Sequence, residues 1–267
     1  MRTAGRCFKI FSAAIPLPCP WRDWSFAIPR PSRAFTTLIT LVRSTPRAPD
    51  PTRLLPMPPG SRDTDRLLVF VKAPVPGTVK TRLAATLGSA AACEAYETLV
   101  RHLLRQFRGF SSVSLCFTPD DQASRIEPWL ETGWQSRPQG PGDLGDRLNR
   151  AFDEAFAQGA ERVIALGSDC PYVTASDVRT AFRRLGGCDT LVGPATDGGY
   201  WLLGLKRSQP ALFWGIPWST DQVLGETLRR CKEAKLKIDL MGILEDVDDL
   251  AAWQRFLSST GAALGNA

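Results

Sequence analysis

Three observations predict a three-layer α/β domain built on a mostly parallel sheet. Short apolar runs alternate with stretches of helical spacing along residues 65–267, as βα units require. The runs are continuously apolar, the pattern of strands buried on both faces. Loops rich in Gly, Pro and Asp follow several of these runs directly, and ligands in such sheets sit beyond the carboxyl ends of the strands.

The elements follow in order. Residues 66–72 (RLLVFVK) form a buried strand, and residues 89–107 have helical spacing. Residues 112–117 (SVSLCF) are a second strand, ended by Thr118-Pro119-Asp120, and residues 122–131 a short helix. Residues 145–158 are a helix that turns Leu148, Ala151, Phe152, Ala155 and Phe156 inward. Residues 162–166 (RVIAL) are a third strand; residues 175–185 are a helix with Thr174 at its N-cap. Residues 190–193 and 200–205 are two further strands, 220–235 a long helix, 237–240 a last strand and 249–258 a closing helix.

Charge divides the chain. Overall it carries 33 Lys+Arg and 27 Asp+Glu, a net +6, with a pI near 9.1. The first 56 residues hold nine basic and two acidic residues; the remaining 211 hold 24 and 25, a net −1. The excess positive charge therefore lies in the N-terminal segment, which argues against a nucleic-acid-binding face on the folded part. Residues 1–64 read as a disordered Pro/Arg-rich leader or an upstream extension, with Met57 as the true start. An organellar transit peptide is the competing reading, and a secretory signal lacks a small-residue cleavage site after its apolar run. Ordered structure is expected from about Asp65, as one domain spanning 65–267. No apolar run reaches the ~18 residues of a membrane span, so the expected location is the cytoplasm, or an organelle if the leader is a transit peptide.

Composition also limits the chemistry. The seven cysteines are scattered, without a CxxC pair, and read as reduced, mostly buried thiols. The single histidine, His102, lies in the apolar helical pattern of residues 96–107, so neither a Ser-His-Asp triad nor a histidine metal site is available. Catalysis must use carboxylates, cations and backbone amides.

Four loops carry candidates. KAPVPGTVKTRL brings Lys72, Lys80 and Arg82 to one strand end, with Gly77 admitting close backbone approach, a combination suited to phosphates. GSDCP places Asp169 just past a strand, where a divalent ion bridging phosphates could take it as ligand. GPATDGGYW holds Asp197, a hydrogen-bonding or base group, beside Gly198 and Gly199 in a turn that an acceptor or sugar could approach. QGPGDLGDRL opens a helix, and its small residues could admit a nucleobase or ribose. Each loop is also compatible with an ordinary turn or cap. Asp246-Val-Asp248-Asp249 could supply a second metal ligand or acidic charge at a helix start.

The order of KAPVPGTVKTRL, QGPGDLGDRL, GSDCP, GPATDGGYWLLGL, GIPWST and DVDDL resembles the 2-phospholactate-guanylyltransferase-like transferases of the glycosyltransferase-A superfamily. This branch is associated with radical-SAM and selenium-domain gene clusters, and its members are often labelled arsenosugar-biosynthesis glycosyltransferases. The resemblance spans residues 66–253 and stops where the leader begins. It implies a Rossmann-like nucleotide-diphosphosugar transferase fold of the GT-A type and a divalent cation, Mg or Mn. It implies that Lys72, Lys80 and Arg82 hold phosphates and that Gln139, Gly142 and Asp143 line the nucleotide site. Asp169 and Asp248 would hold the metal, although Asp169 stands in SDC instead of a full Asp-x-Asp and Asp248 is followed by Asp249-Leu250 instead of Thr-Pro. Residues 197–201 would face the acceptor.

The function expected from these readings is metal-dependent glycosyl transfer from a nucleotide-sugar to a small acceptor, without nucleic-acid or membrane partners. Nucleotidyl transfer from an NTP to a phospho-acid or sugar-phosphate, releasing pyrophosphate, is the alternative within the same fold. A non-catalytic nucleotide-binding partner protein is the alternative from another class.

Overall fold

The structure is a computed structural model that describes residues 64–260. The expectations for the leader, and for Cys7 and Cys19, lie outside the described residues. The elements are β1 (Asp65–Lys72), α1 (Thr81–Leu87), α2 (Ser89–Gln106), β2 (Val113–Thr118), α3 (Ala123–Ile126), β3 (Gln135–Pro138), α4 (Leu144–Ala157), β4 (Arg162–Gly167), α5 (Ala175–Leu185), β5 (Thr190–Pro194), β6 (Tyr200–Leu205), α6 (Val223–Glu233), β7 (Ile238–Leu240) and α7 (Leu250–Thr260).

The seven strands form one sheet in the order β3-β2-β1-β4-β6-β5-β7. All neighbours pair in parallel except β6, which runs antiparallel to both β4 and β5. The expected three-layer α/β architecture with a mostly parallel sheet is therefore present. Strand β1 shows why its sequence is apolar throughout. Leu67, Val69 and Val71 face α2 and α5, while Leu68 and Phe70 face α4. A third cluster stacks α1 and α7 on the outer side of α2, through Leu83, Leu99, Trp253 and Phe256.

Several boundaries differ from the sequence expectation. Residues 122–131 split into the single turn α3 and a 3₁₀ turn (Glu127–Trp129), because Pro128 cannot donate within a longer helix. The sixth helix is α6 (Val223–Glu233), three residues shorter at its start than expected, since 220–222 stay in the preceding turn. Strand β3 (QSRP) and helix α1 were not anticipated. Thr174 does cap α5: its side chain accepts from Asp177 N, and Asp177 accepts in return from Thr174 N.

The five cysteines among the described residues are all buried and unpaired. His102 packs edge-on against Phe256, with ring centroids 5.2 Å apart. Among the described residues, no helix is long and apolar enough to cross a membrane.

Candidate active site

Because β6 alone is reversed, the carboxyl ends of β1, β4, β5 and β7 and the start of β6 lie on one edge of the sheet. A cavity of about 360 Å³ opens there, a size suited to a small-molecule site. Its lining is acidic at Asp169, Asp197, Asp246 and Asp248, joined by Arg82, and aromatic or apolar at Leu144, Tyr200, Trp218 and Val223.

The segment after β7 supplies two of these carboxylates, Asp246 and Asp248. Leu244 N donates to Pro194 O at 3.1 Å, Thr196 N to Leu244 O at 3.1 Å and Val247 N to Asp169 O at 2.9 Å. These bonds lay residues 244–248 across the ends of β5 and β4. The segment is extended, so Val247 turns into the core, fully buried, and Asp246 and Asp248 turn to the cavity. Asp249 is spent on the helix, accepting from Ala252 N at 2.8 Å at the start of α7. Of the two roles the sequence left open, the helix-start role falls to Asp249, and Asp248 faces the cavity.

Lys80 sits between the two expected metal ligands. Its Nζ lies 2.5 Å from Asp169 Oδ1 and 3.0 Å from Asp248 Oδ1, while Arg82 Nη1 lies 3.8 Å from Asp248 Oδ2. Burial disfavours charge on Lys80, but the Asp169 and Asp248 carboxylates outweigh it and hold its pKa above the ordinary lysine value. The pKa of Asp246 is raised as well, which for a carboxylate disfavours the charge. Burial, followed by repulsion from Asp197, Asp169 and Asp248, pushes it up to about 7, against the attraction of Lys80.

The donors are of the kind a hard divalent cation takes: carboxylate oxygens, about half exposed, from Asp169 and Asp248. Among the described residues, no three His, Cys, Asp or Glu side chains form a ready cage. The arrangement suits an ion that takes one or two carboxylates and completes its shell with phosphate oxygens and water.

Other expected residues sit as follows. Lys72 is exposed at the end of β1, and Gly77 has positive φ in open surroundings. Asp197 Oδ1 accepts from Gly199 N at 2.8 Å, which folds the 195–199 turn, and its side chain borders the cavity. The 139–143 loop is fastened by bonds of its own. Gln139 is buried and donates to Val71 O (3.2 Å) and Cys116 O (2.8 Å), fastening β1 to β2. Asp143 and Asp146 form a capping box on α4. The glycines make room for the protein's own groups: a Cβ on Gly140 would meet the Arg150 guanidinium, on Gly142 the Asp146 carboxylate, and on Gly145 the Trp218 indole and Phe213 O. The loop's small residues are therefore filled from within, and Leu144 is its contribution to the cavity.

Known proteins share the fold that carries this site. Residues 103–220 match the family described as "uncharacterized protein conserved in bacteria" (DUF2064). A solved structure from Desulfovibrio desulfuricans G20, classed as a nucleotide-diphospho-sugar transferase, shares 30% identity with a TM-score of 0.70, over 75% of this chain and 89% of that one. The chain belongs to this nucleotide-sugar transferase-like family. The 4-diphosphocytidyl-2C-methyl-D-erythritol synthase of Anaerococcus prevotii DSM 20548, at 9% identity and TM-score 0.50, covers 74% of this chain and all of that one and shares the fold. No curated protein matches the chain.

Within this family fold, Tyr96 is a site residue that sequence reasoning missed. Its helical spacing marked it as core, and it is core, 1% exposed. Its hydroxyl, however, accepts from Lys72 N at 2.8 Å, contacts Lys72 O at 3.2 Å and lies 3.2 Å from Ser168 Oγ. It ties the start of the cationic loop to the residue before Asp169. Tyr96→Phe keeps the ring but strips these partners. It is expected to cost about 1–2 kcal/mol in thermal or urea unfolding and to lower kcat/KM about 10-fold by loosening the first members of both loops.

Proposed function

We propose that the protein transfers a glycosyl group from a nucleotide-sugar to a small acceptor in the cavity at the strand ends. The observation that carries this reading is the convergence of Lys80 and Arg82 on Asp169 and Asp248 at a cavity that aromatic and apolar side chains also line. Family membership supplies the transferase class.

Asp169 and Asp248 would hold Mg or Mn, which when bound neutralises diphosphate charge and assists departure of the nucleotide. Arg82, its side chain 80% exposed, is free to turn from Asp248 towards phosphate oxygens and to stabilise charge as it develops there. Lys72 and the backbone at Gly77 border the same strand end and extend the phosphate-binding edge. The nucleotide end lies towards the 139–143 loop, which the Gln139 and Asp143 bonds hold rigid. The sugar and acceptor lie against Tyr200 and Trp218, where aromatic faces suit the apolar side of a pyranose ring. Asp197, exposed on the acceptor side, accepts the acceptor hydroxyl's proton as general base.

The test is product identity. The full chain is incubated with Mg²⁺ or Mn²⁺ and panels of nucleotide-sugars and NTPs, each with sugar, sugar-phosphate and phospho-acid acceptors. Acceptor-dependent release of a nucleoside diphosphate is expected. Pyrophosphate released from an NTP in the presence of a phosphorylated acceptor would assign nucleotidyl transfer instead. Nucleotide binding with no turnover would assign the non-catalytic role.

A further inference from the structure

We propose that Lys80 is a tethered counter-cation: it holds Asp169 and Asp248 together in the resting protein, and a divalent ion must displace it to bind. This makes Lys80 the positioning residue of the cation site, and the inference rests on the cation-assisted transfer proposed above.

The geometry sets the ammonium and a divalent ion in competition. One ammonium nitrogen lies within hydrogen-bond distance of a carboxylate oxygen from each aspartate. The Lys80 side chain is 3% exposed, whereas those of Asp169 and Asp248 are 56% and 45% exposed. The ammonium therefore reaches the pair from the protein side, and the carboxylates keep an open side towards the cavity. A cation shared by both carboxylates lies close to the buried ammonium and competes with it for the same pair of negative charges.

The backbone shows that this placement is specified. Lys80 adopts a left-handed conformation, φ 46° and ψ 50°, immediately before α1 and without a side-chain cap. A residue with a Cβ resists that conformation, and here its side chain is buried and meets Asp169 and Asp248. The two ion pairs offset the strain.

Charge explains why such a device is useful. Four aspartates line the cavity, and two of them meet at one point without a ready cage around it. An internal cation keeps them in register when no divalent ion is bound, and exchanging one positive charge for two is then favoured by the remaining carboxylates. Phosphate oxygens offer the released ammonium new acceptors. Cation and nucleotide are consequently expected to bind cooperatively, each strengthening the other by the same factor.

The experiment measures Mn²⁺ binding to the full, nucleotide-free chain by electron paramagnetic resonance. Wild type, Lys80→Met and the double variant Lys80→Met/Asp169→Asn are compared. Lys80→Met is expected to bind Mn²⁺ at least about 10-fold more tightly than wild type, and the double variant to lose that gain. Equal or weaker Mn²⁺ binding by Lys80→Met, with Asp169-dependent binding in both proteins, overturns the displacement alone. Absence of Mn²⁺ binding in every form, with and without nucleotide-sugar, overturns both this inference and the cation-assisted reading.

Wild-type protein provides a second measurement that needs no folded variant. Acetylation of Lys80 by acetic anhydride, followed by mass spectrometry, is expected to be slow without metal and to accelerate several-fold in Mg²⁺. A rate unchanged by Mg²⁺ overturns the proposal.

Discussion

Asp169→Asn is expected to lower turnover by about 10³-fold, the scale of losing a key electrostatic group at a reacting phosphate, while the protein remains folded. Asparagine keeps the size of the side chain and one carbonyl acceptor but removes the charge. The backbone contribution survives, because Val247 N donates to the Asp169 carbonyl and not to its side chain. The side chain is 56% exposed, but the Lys80 ammonium is 3% exposed and keeps only Asp248 as a charged partner, so the stability loss should be about 1–2 kcal/mol. The diagnostic result is a collapse of kcat with a melting temperature within a few degrees of wild type. Wild-type turnover in the Asn variant would remove Asp169 from the reaction.

The strands were legible because parallel strands buried on both faces must be apolar throughout, as RLLVFVK and RVIAL are. Strand β3 escaped because it is the sheet edge. Its residues Gln135, Ser136, Arg137 and Pro138 need no apolar face, and Pro138 ends the ladder. Helix α1 escaped because the residue at its N-cap is Lys80, whose side chain points at Asp169 instead of capping. A functional demand replaced the usual Ser, Thr, Asp or Asn there.

The site shows the same division. Asp169 stood out as a lone carboxylate directly after an apolar strand, and Asp248 as part of an acidic run. Nothing local announced that Lys80 would join them, across 89 and 168 residues of sequence. That meeting depends on sheet order and on the 244–248 segment crossing β5 and β4. The 139–143 loop carries the opposite lesson. Small residues do not mean open space, because Arg150, Asp146 and Trp218 each fill the gap that a glycine leaves.

Gly198→Ala is expected to have the largest effect on stability among single changes around the cavity. Gly198 has φ +88°, and a Cβ there would lie 2.4 Å from Asp221 O and 2.6 Å from Asp221 Cα. No rotamer can relieve a clash with backbone, so the 195–199 turn must part from the segment entering α6. That parting breaks the bond from Leu224 N to Gly198 O, 2.9 Å long. Left-handed strain and the clash together should cost about 2–4 kcal/mol, lowering the melting temperature by about 5–10 °C for a domain of this size. Asp197 lies on one side of the junction and Trp218, Thr220 and Val223 on the other, so KM for the acceptor should rise several-fold as the walls separate. Gly77→Ala provides the comparison. Its φ is +85°, but the nearest atom to a Cβ is Ser89 Oγ at 3.9 Å, leaving only the conformational cost of about 1–2 kcal/mol. The difference between the two melting temperatures therefore reports the contact with Asp221 alone, and equal shifts would show that the turn and the α6 entry are not pressed together.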